Sequence, residues 1–194
     1  DTDTDTEPFQ LLPMPAVENT TRPDSAAAVA VTVLPKHLLN LKCPSRPGLE
    51  RTLTWDEVKQ LVAAERMDLM GRTNEKQSEY LEYKKQITQE HGSVVACIRQ
   101  TKLAPFLADS SMEYLVLPND FPYALAPDMA HFIVWSKRNL TAGLVPDQDI
   151  QLVFTAHFDE LIGAGKYEWT WFVNPPHLQS IPEAAHGHLI VKTL

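Results

Sequence analysis

The chain is poor in cysteine, in long apolar runs and in clustered basic residues. Cys43 and Cys97 are its only cysteines among 194 residues. A disulfide framework needs more, so both are expected to be reduced thiols. No apolar run approaches the roughly 18 residues that a membrane span requires. The net charge is −8, and no run of lysine or arginine exceeds two residues. We therefore expect neither a membrane span nor a nucleic-acid partner.

Composition divides the chain into an arm and a domain. With 44% hydrophobic residues, 194 residues can form one core, for which about 140 residues suffice. Residues 1–52 have no sustained period and are rich in proline, with Pro8, Pro13, Pro15, Pro23, Pro35, Pro44 and Pro47. Such an extended arm needs a surface to lie on, either its own domain (residues 53–194) or another protein subunit.

The first residues, Asp1-Thr-Asp-Thr-Asp-Thr6, lack an initiator methionine. This start is typical of a processed or truncated chain whose targeting peptide has been removed. We accordingly expect an intracellular protein, and a mitochondrial or plastid location fits such processing.

Residues 53–194 show helices first and strands later. Thr54 and Glu57 have the spacing of a capping box at a helix start, and a second helix, from Asn74, should end at Gly92. A third helix is predicted over 93–102, and a fourth follows Pro146, with His157 on its core side. Strands are predicted over 114–117, 131–135, 167–173 and 188–193. The pattern predicts an α+β fold.

The candidate site lies in the last third of the chain. His186 and His188 are two residues apart on an apolar strand, which places both imidazoles on one face. They could be a nucleophile with its neighbour, a pair of metal ligands, or two structural histidines. Four further residues could bind a phosphate or sugar: His131, Asn174, Gln179 and Ser180. Each could instead have a structural role, in a turn or in the packing of the core. No motif for a metal or cofactor is present, so none is predicted.

Several ordered motifs carry a resemblance to a known family. They are Leu53-Thr-Trp-Asp-Glu-Val-Lys59, Tyr80-Leu-Glu-Tyr-Lys84, Gly92-Ser-Val94, Asn119-Asp-Phe-Pro-Tyr123, His131-Phe-Ile-Val-Trp135, Leu178-Gln-Ser-Ile181 and His186-Gly-His188. Together they resemble the fungal N-acetylglucosamine-induced protein family, a domain of unknown function, over residues 52–194. The resemblance does not extend to the arm.

A more distant resemblance is to the histidine-triad (HIT) superfamily. There a strand like that of His131 is followed by a crossover helix, a strand ending in asparagine, a Gln-Ser pair and a strand with alternating histidines. The resemblance implies helices packed on a small, mainly antiparallel HIT-like sheet. It also implies a nucleophile at His186 or His188. Ile190 stands where a third polar residue is expected, and the spacing from Ser180 leaves the choice of nucleophile open.

Two classes of function follow. The first is a non-catalytic accessory subunit of a larger assembly, with the arm strapped over neighbouring chains. The second is a HIT-like transferase or hydrolase that acts on a nucleotide, a sugar phosphate or another activated substrate. The missing third polar residue and the long arm favour the accessory subunit.

Overall fold

A computed structural model describes residues 34–42 and 45–194. Two short 3₁₀ turns, Met67–Leu69 and Pro176–Leu178, accompany the regular elements. The helices are α1 Lys36–Leu39, α2 Trp55–Ala63, α3 Asn74–His91, α4 Val94–Thr101, α5 Ala104–Ala108 and α6 Gln148–Leu161. The strands are β1 Tyr114–Pro118, β2 Met129–Ser136, β3 Tyr167–Phe172 and β4 His186–Thr193.

The four strands form one antiparallel sheet in the order β1-β2-β4-β3. The expected α+β fold is confirmed. Helix α6 connects β2 with β3 and so crosses over β4. In the β2–β4 register, Trp135 lies opposite His186 and Ile133 opposite His188. Because paired residues share a face of the sheet, these four side chains lie on one face, together with His131.

Each face of the sheet is covered by a different layer. On one face, Ile150, Phe154 and Phe158 of α6 pack against the sheet and are almost fully buried. The face that carries the histidines is covered by two groups of residues. One includes α2 and packs on Phe172 and Ile190, and the other includes α5 and packs on Ile133 and Trp135. The histidines therefore lie between the sheet and these two groups of residues.

Local signals set the ends of the longer helices. Thr54 and Glu57 form the predicted capping box of α2. Two further hydrogen bonds from the Arg51 guanidinium hold the Glu57 carboxylate and lower its pKa to about 2. Helix α3 ends at Gly92, whose φ of 78° suits glycine.

One prediction for α6 was wrong. His157 was placed on the core side of the helix, but it is exposed. Phe154 and Phe158 fill the inward positions of that turn. His157 follows Phe154 by three residues and lies at the edge of this buried stripe, where solvent reaches its ring.

The described part of the arm packs on the domain that follows it. Leu38 and Leu49 are fully buried in the same cluster as Leu53. The backbone of Leu49 also exchanges hydrogen bonds with Arg72 (2.8 Å) and Asn74 (3.0 Å). The boundary at residue 52 stays a prediction, and the remaining arm residues, 1–33 and 43–44, lie outside the described residues. No helix in the described ranges is long and apolar enough to cross a membrane.

Gly187 gives the sheet a stability test. A Cβ atom at this position would overlap the indole ring of Trp171, which is buried under α6. Gly187→Ala should therefore lower the free energy of unfolding by about 1–3 kcal/mol, the usual cost of overpacking a core. Denaturant unfolding of the purified variant measures this. Gly143→Ala is the control because a Cβ there meets nothing within 4 Å. Equal stabilities of the two variants would contradict this packing.

Candidate functional site

A pocket of about 300 Å³ opens above the histidine face of the sheet. Four of the six predicted site residues line it: His186, His188, Asn174 and Ser180. The other two stand behind them. His131 contacts the ring of His188, and Gln179 Nε2 donates to the backbone oxygen of Asn174 at 2.8 Å. The structure therefore brings all six residues to one place, although they come from four separate segments.

A chain of hydrogen bonds runs through the two central histidines. His131 Nδ1 receives the backbone N–H of Tyr123 at 3.2 Å and the Nδ2 group of Asn119 at 3.3 Å. On the other side of the ring, His131 Nε2 lies 3.0 Å from His188 Nδ1. His188 Nε2 in turn lies 3.0 Å from the side-chain amide of Asn174. Both ring nitrogens of each histidine are therefore engaged.

The direction of this chain follows from its first donor. A backbone N–H can only donate, so His131 Nδ1 must be an unprotonated acceptor. A neutral His131 then carries its proton on Nε2 and donates it to His188 Nδ1. His188 is left with its proton on Nε2. These donor and acceptor roles fix the tautomers of both rings.

Burial keeps the imidazoles neutral. It lowers the pKa of His131 to about 3, and the positive charge of Arg72 and the nearby titratable ring of His186 act in the same direction. Burial also lowers the pKa of His188 well below its usual value. The pKa of His186 is lowered by burial too, although a hydrogen bond with the Ala184 carbonyl opposes the shift. All three rings are therefore neutral at pH 7.

His186 differs from His188 in having one free nitrogen. Its Nδ1 lies 2.7 Å from the backbone oxygen of Ala184, which can only accept, so the proton resides on Nδ1. The other nitrogen, Nε2, has no hydrogen-bond partner among the residues that the structure describes. The ring lines the pocket and is 5.2 Å from that of Trp135, centroid to centroid. His186 therefore provides an unprotonated nitrogen at a pocket wall.

Arg72 is a pocket residue that the sequence analysis missed. Its guanidinium lies 3.9 Å from the centroid of the Tyr80 ring. It donates to the Phe121 carbonyl at 3.0 Å and to Gln77 Oε1 at 3.2 Å. Burial lowers its pKa. Within the described ranges no carboxylate comes within ion-pair distance of it.

Each of the other charged residues of the pocket wall has a polar partner among the described residues. Lys102 forms an ion pair with Asp120. Lys42 donates to the backbone oxygen of Asp68, whose carboxylate is held by a neighbouring arginine. Arg72 is a buried cation of the pocket wall without a carboxylate partner in the described ranges, in a chain whose net charge is −8. A partly desolvated cation without a counterion favours the binding of an anion.

An aromatic wall stands beside Arg72. Tyr80 and Tyr83 of α3 face Phe121, with ring centroids 5.2 and 4.8 Å away. All three rings line the pocket.

No group of three or more potential metal ligands occurs among the described residues. The polar side chains of the pocket wall include Arg72, His186, Asn174 and Ser180.

Most of the described domain matches one protein family. Residues 54–192 match the family described as "Protein of unknown function (DUF3605)", and the chain is a member of it.

The chain is similar to a yeast protein by sequence and to a solved structure by fold. The chain is 25% identical over 154 residues to the uncharacterized protein YPL067C of Saccharomyces cerevisiae; the match covers 71% of this chain and 77% of the yeast protein. Its structure is similar to the crystal structure of HTC1, with a TM-score of 0.51 and 24% identity over 73% of this chain and 85% of HTC1. The likeness to HTC1 shows a shared fold.

Neutral buried histidines predict a loss of stability in weak acid. Unfolding returns the pKa of His131 from about 3 towards its model-peptide value of 6.5. Between these values the unfolded chain binds more protons, so stability falls as pH falls from 7 to 5, by about 1 kcal/mol per pH unit for one such histidine. The Glu57 carboxyl affects stability only at lower pH, because unfolding raises its pKa from about 2 to 4.5.

His131→Gln tests this dependence. A glutamine amide can accept from the Tyr123 N–H and donate to His188, but it does not titrate. Its free energy of unfolding, measured by urea denaturation at pH 7, 6 and 5, should fall less steeply than that of the wild type. His157→Gln, at an exposed position, should keep the wild-type slope. Equal slopes for all three proteins would show that His131 takes up protons freely in the folded chain.

Proposed function

We propose that this protein is an enzyme that transfers a phosphorus-linked group from a phosphate ester or anhydride through His186. The observation that carries the proposal is the free Nε2 of a neutral His186 in a pocket that also holds an unpaired Arg72. A lone pair and an anion-binding cation in one cavity are the two requirements for attack on a phosphate.

The reaction that this arrangement supports has two steps. In the first, the lone pair of His186 Nε2 forms an N–P bond while the P–O bond to the leaving group breaks. The leaving oxygen keeps that electron pair and takes a proton from solvent. The modified ring keeps its Nδ1 proton, and the Ala184 carbonyl, 2.7 Å away, stabilises the resulting positive charge. In the second step water attacks phosphorus and gives up a proton to solvent, and the electron pair of the breaking N–P bond returns to Nε2.

His188 has a different part in this proposal. Its Nε2 carries a proton and its Nδ1 accepts from His131, so it has no lone pair to offer a substrate. It is a positioning residue that orients Asn174. Of the two nucleophiles that the resemblance left open, the proposal selects His186.

The order of elements supports a HIT-like relationship as part of the same proposal. The strand of His131 is followed by the crossover helix α6, then by β3, Asn174, Gln179-Ser180 and the histidine strand β4. This is the order on which the resemblance rests. The relationship to the N-acetylglucosamine-induced proteins belongs to this proposal as well. The HIT-like resemblance implies substrates with activated phosphate groups, such as nucleotide sugars.

Turnover by the purified full-length chain tests the proposal. We expect 31P NMR to show cleavage of at least one member of a panel of nucleotide sugars and dinucleotides. His186→Gln should reduce that turnover by about 10³-fold or more, as loss of a nucleophile does. The glutamine amide can still donate to Ala184, so the thermal unfolding midpoint should change little. Arg72→Gln should reduce turnover by about 10²-fold or more through loss of transition-state stabilisation.

The matched control is His157→Gln, which makes the same change at an exposed position and should keep full turnover. Turnover that survives in His186→Gln would contradict the proposed nucleophile. If no member of the panel is cleaved by the wild type, the enzyme proposal fails and the accessory-subunit expectation gains.

A further inference from the structure

The arm supplies a second cation to the pocket wall. Lys42 lines the same cavity as Arg72, although it precedes residues 54–192, which match the family. Its Nζ donates to the backbone oxygen of Asp68. An ammonium group has three N–H donors, so two are left without a partner among the described residues. Lys42 is exposed, unlike the central histidines, and a ligand in the pocket can reach its Nζ.

No carboxylate pairs with Lys42 within the described ranges. The carboxylate of Asp68 acts on it only from a distance, because both of its oxygens accept hydrogen bonds from the Arg66 guanidinium, at 2.7 and 2.8 Å. Partial burial lowers the pKa of Lys42, although Asp68 opposes the shift. Lys42 is therefore a partly desolvated cation with donors to offer an anion.

Backbone pairing holds Lys42 close to the segment that carries Arg72. Lys42 pairs with Leu49 in an isolated antiparallel bridge, and Leu49 pairs with Thr73 in a parallel one. The N–H of Leu49 donates to the Arg72 carbonyl at 2.8 Å. A Cβ on Gly48 would lie 2.7 Å from backbone atoms of Thr73, so this close approach of the two segments requires glycine.

The Lys42 side chain itself lies beside Gly71, the residue before Arg72. A Cβ on Gly71 would be 3.6 Å from Lys42 Cε and 3.8 Å from its Nζ. Gly71 lines the pocket as well. Two positive charges at the same pocket wall repel each other, and a ligand with two negative groups offsets that repulsion better than a ligand with one.

We propose that Lys42 and Arg72 bind two adjacent phosphate groups of one ligand, so that the pocket selects a diphosphate. This inference rests on the proposed function and narrows its substrates to phosphoanhydrides. The leaving oxygen of the first step is then the oxygen that bridges two phosphorus atoms, and it departs with its electron pair as part of the second phosphate. Lys42 determines specificity because a monoester offers only one phosphate to the two cations.

Methylenediphosphonate and methylphosphonate are matched probes for this selection. Neither has a P–O–P bond to cleave, so their binding is independent of turnover. In titration calorimetry of the full-length wild type, in metal-free buffer at pH 7, the diphosphonate should bind about 10-fold more tightly or better. Lys42→Gln should weaken diphosphonate binding by about 10- to 100-fold, the usual effect of losing a hydrogen bond to a charged group. It should also remove the preference for two phosphonates.

Lys36→Gln is the matched control. It removes the same charge from an exposed position of the arm that does not line the pocket, and it should bind the diphosphonate as the wild type does. Lys42→Arg keeps the charge and should recover most of the affinity. Equal diphosphonate affinities of Lys42→Gln and Lys36→Gln would overturn the proposal. A wild type that binds both probes equally, or neither, would overturn it too.

Acetylation of the wild type gives a measurement that needs no variant. Saturating methylenediphosphonate should slow the reaction of Lys42 with acetic anhydride severalfold, measured by mass spectrometry of its peptides, and leave the rate at Lys36 unchanged. An unchanged rate at Lys42 would contradict the contact even if Lys42→Gln does not fold.

Turnover separates this inference from the proposed function. Selective diphosphonate binding that depends on Lys42, without turnover of any substrate, would count against transfer through His186 and leave the two-cation site standing. Turnover that depends on His186, together with equal affinities for the two probes, would support the transfer and overturn the role of Lys42.

Discussion

The hydrogen bond between His131 Nε2 and His188 Nδ1 is the interaction on which the site depends. It joins β2 to β4 at 3.0 Å inside the core, and the hydrogen bonds from the Tyr123 N–H through both rings require both rings to be neutral. Burial keeps them neutral by lowering both pKa values. With both rings neutral, the backbone N–H of Tyr123 sets the direction of the hydrogen bonds from Tyr123 to His188. A change that charges either ring therefore disturbs the sheet and the pocket together.

Much of the fold could be predicted because its signals are local. The capping residues Thr54 and Glu57 and the terminal Gly92 mark helix ends within a few residues of sequence. The short helices α1 and α5 carry no such pattern. They are held by Leu38 and Phe106, whose burial depends on distant partners. The predicted position of His157 was wrong for a related reason, since a broad apolar stripe does not show which side chains point inward.

The site could be predicted only in part. Strand alternation places His186 and His188 on one face, but it does not distinguish a free nitrogen from an engaged one. That difference comes from the Ala184 carbonyl and from the register that brings His131 beside His188. No pattern in the sequence indicated that Arg72 belongs to the site. Its position depends on backbone hydrogen bonds from Leu49 to Arg72 and from Ala124 to Gly71, which link segments far apart in sequence.

The central claim is that the pocket binds an oxyanion between a neutral histidine and an unpaired arginine. A crystal structure of the full-length protein soaked with tungstate, a dense analogue of phosphate, tests it most directly. The account predicts tungstate in contact with His186 Nε2 and the Arg72 guanidinium, with Ala184 still accepting from His186 Nδ1. Tungstate bound only at surface lysines, or a pocket that stays filled with water at a soak concentration that labels the surface, would contradict the account.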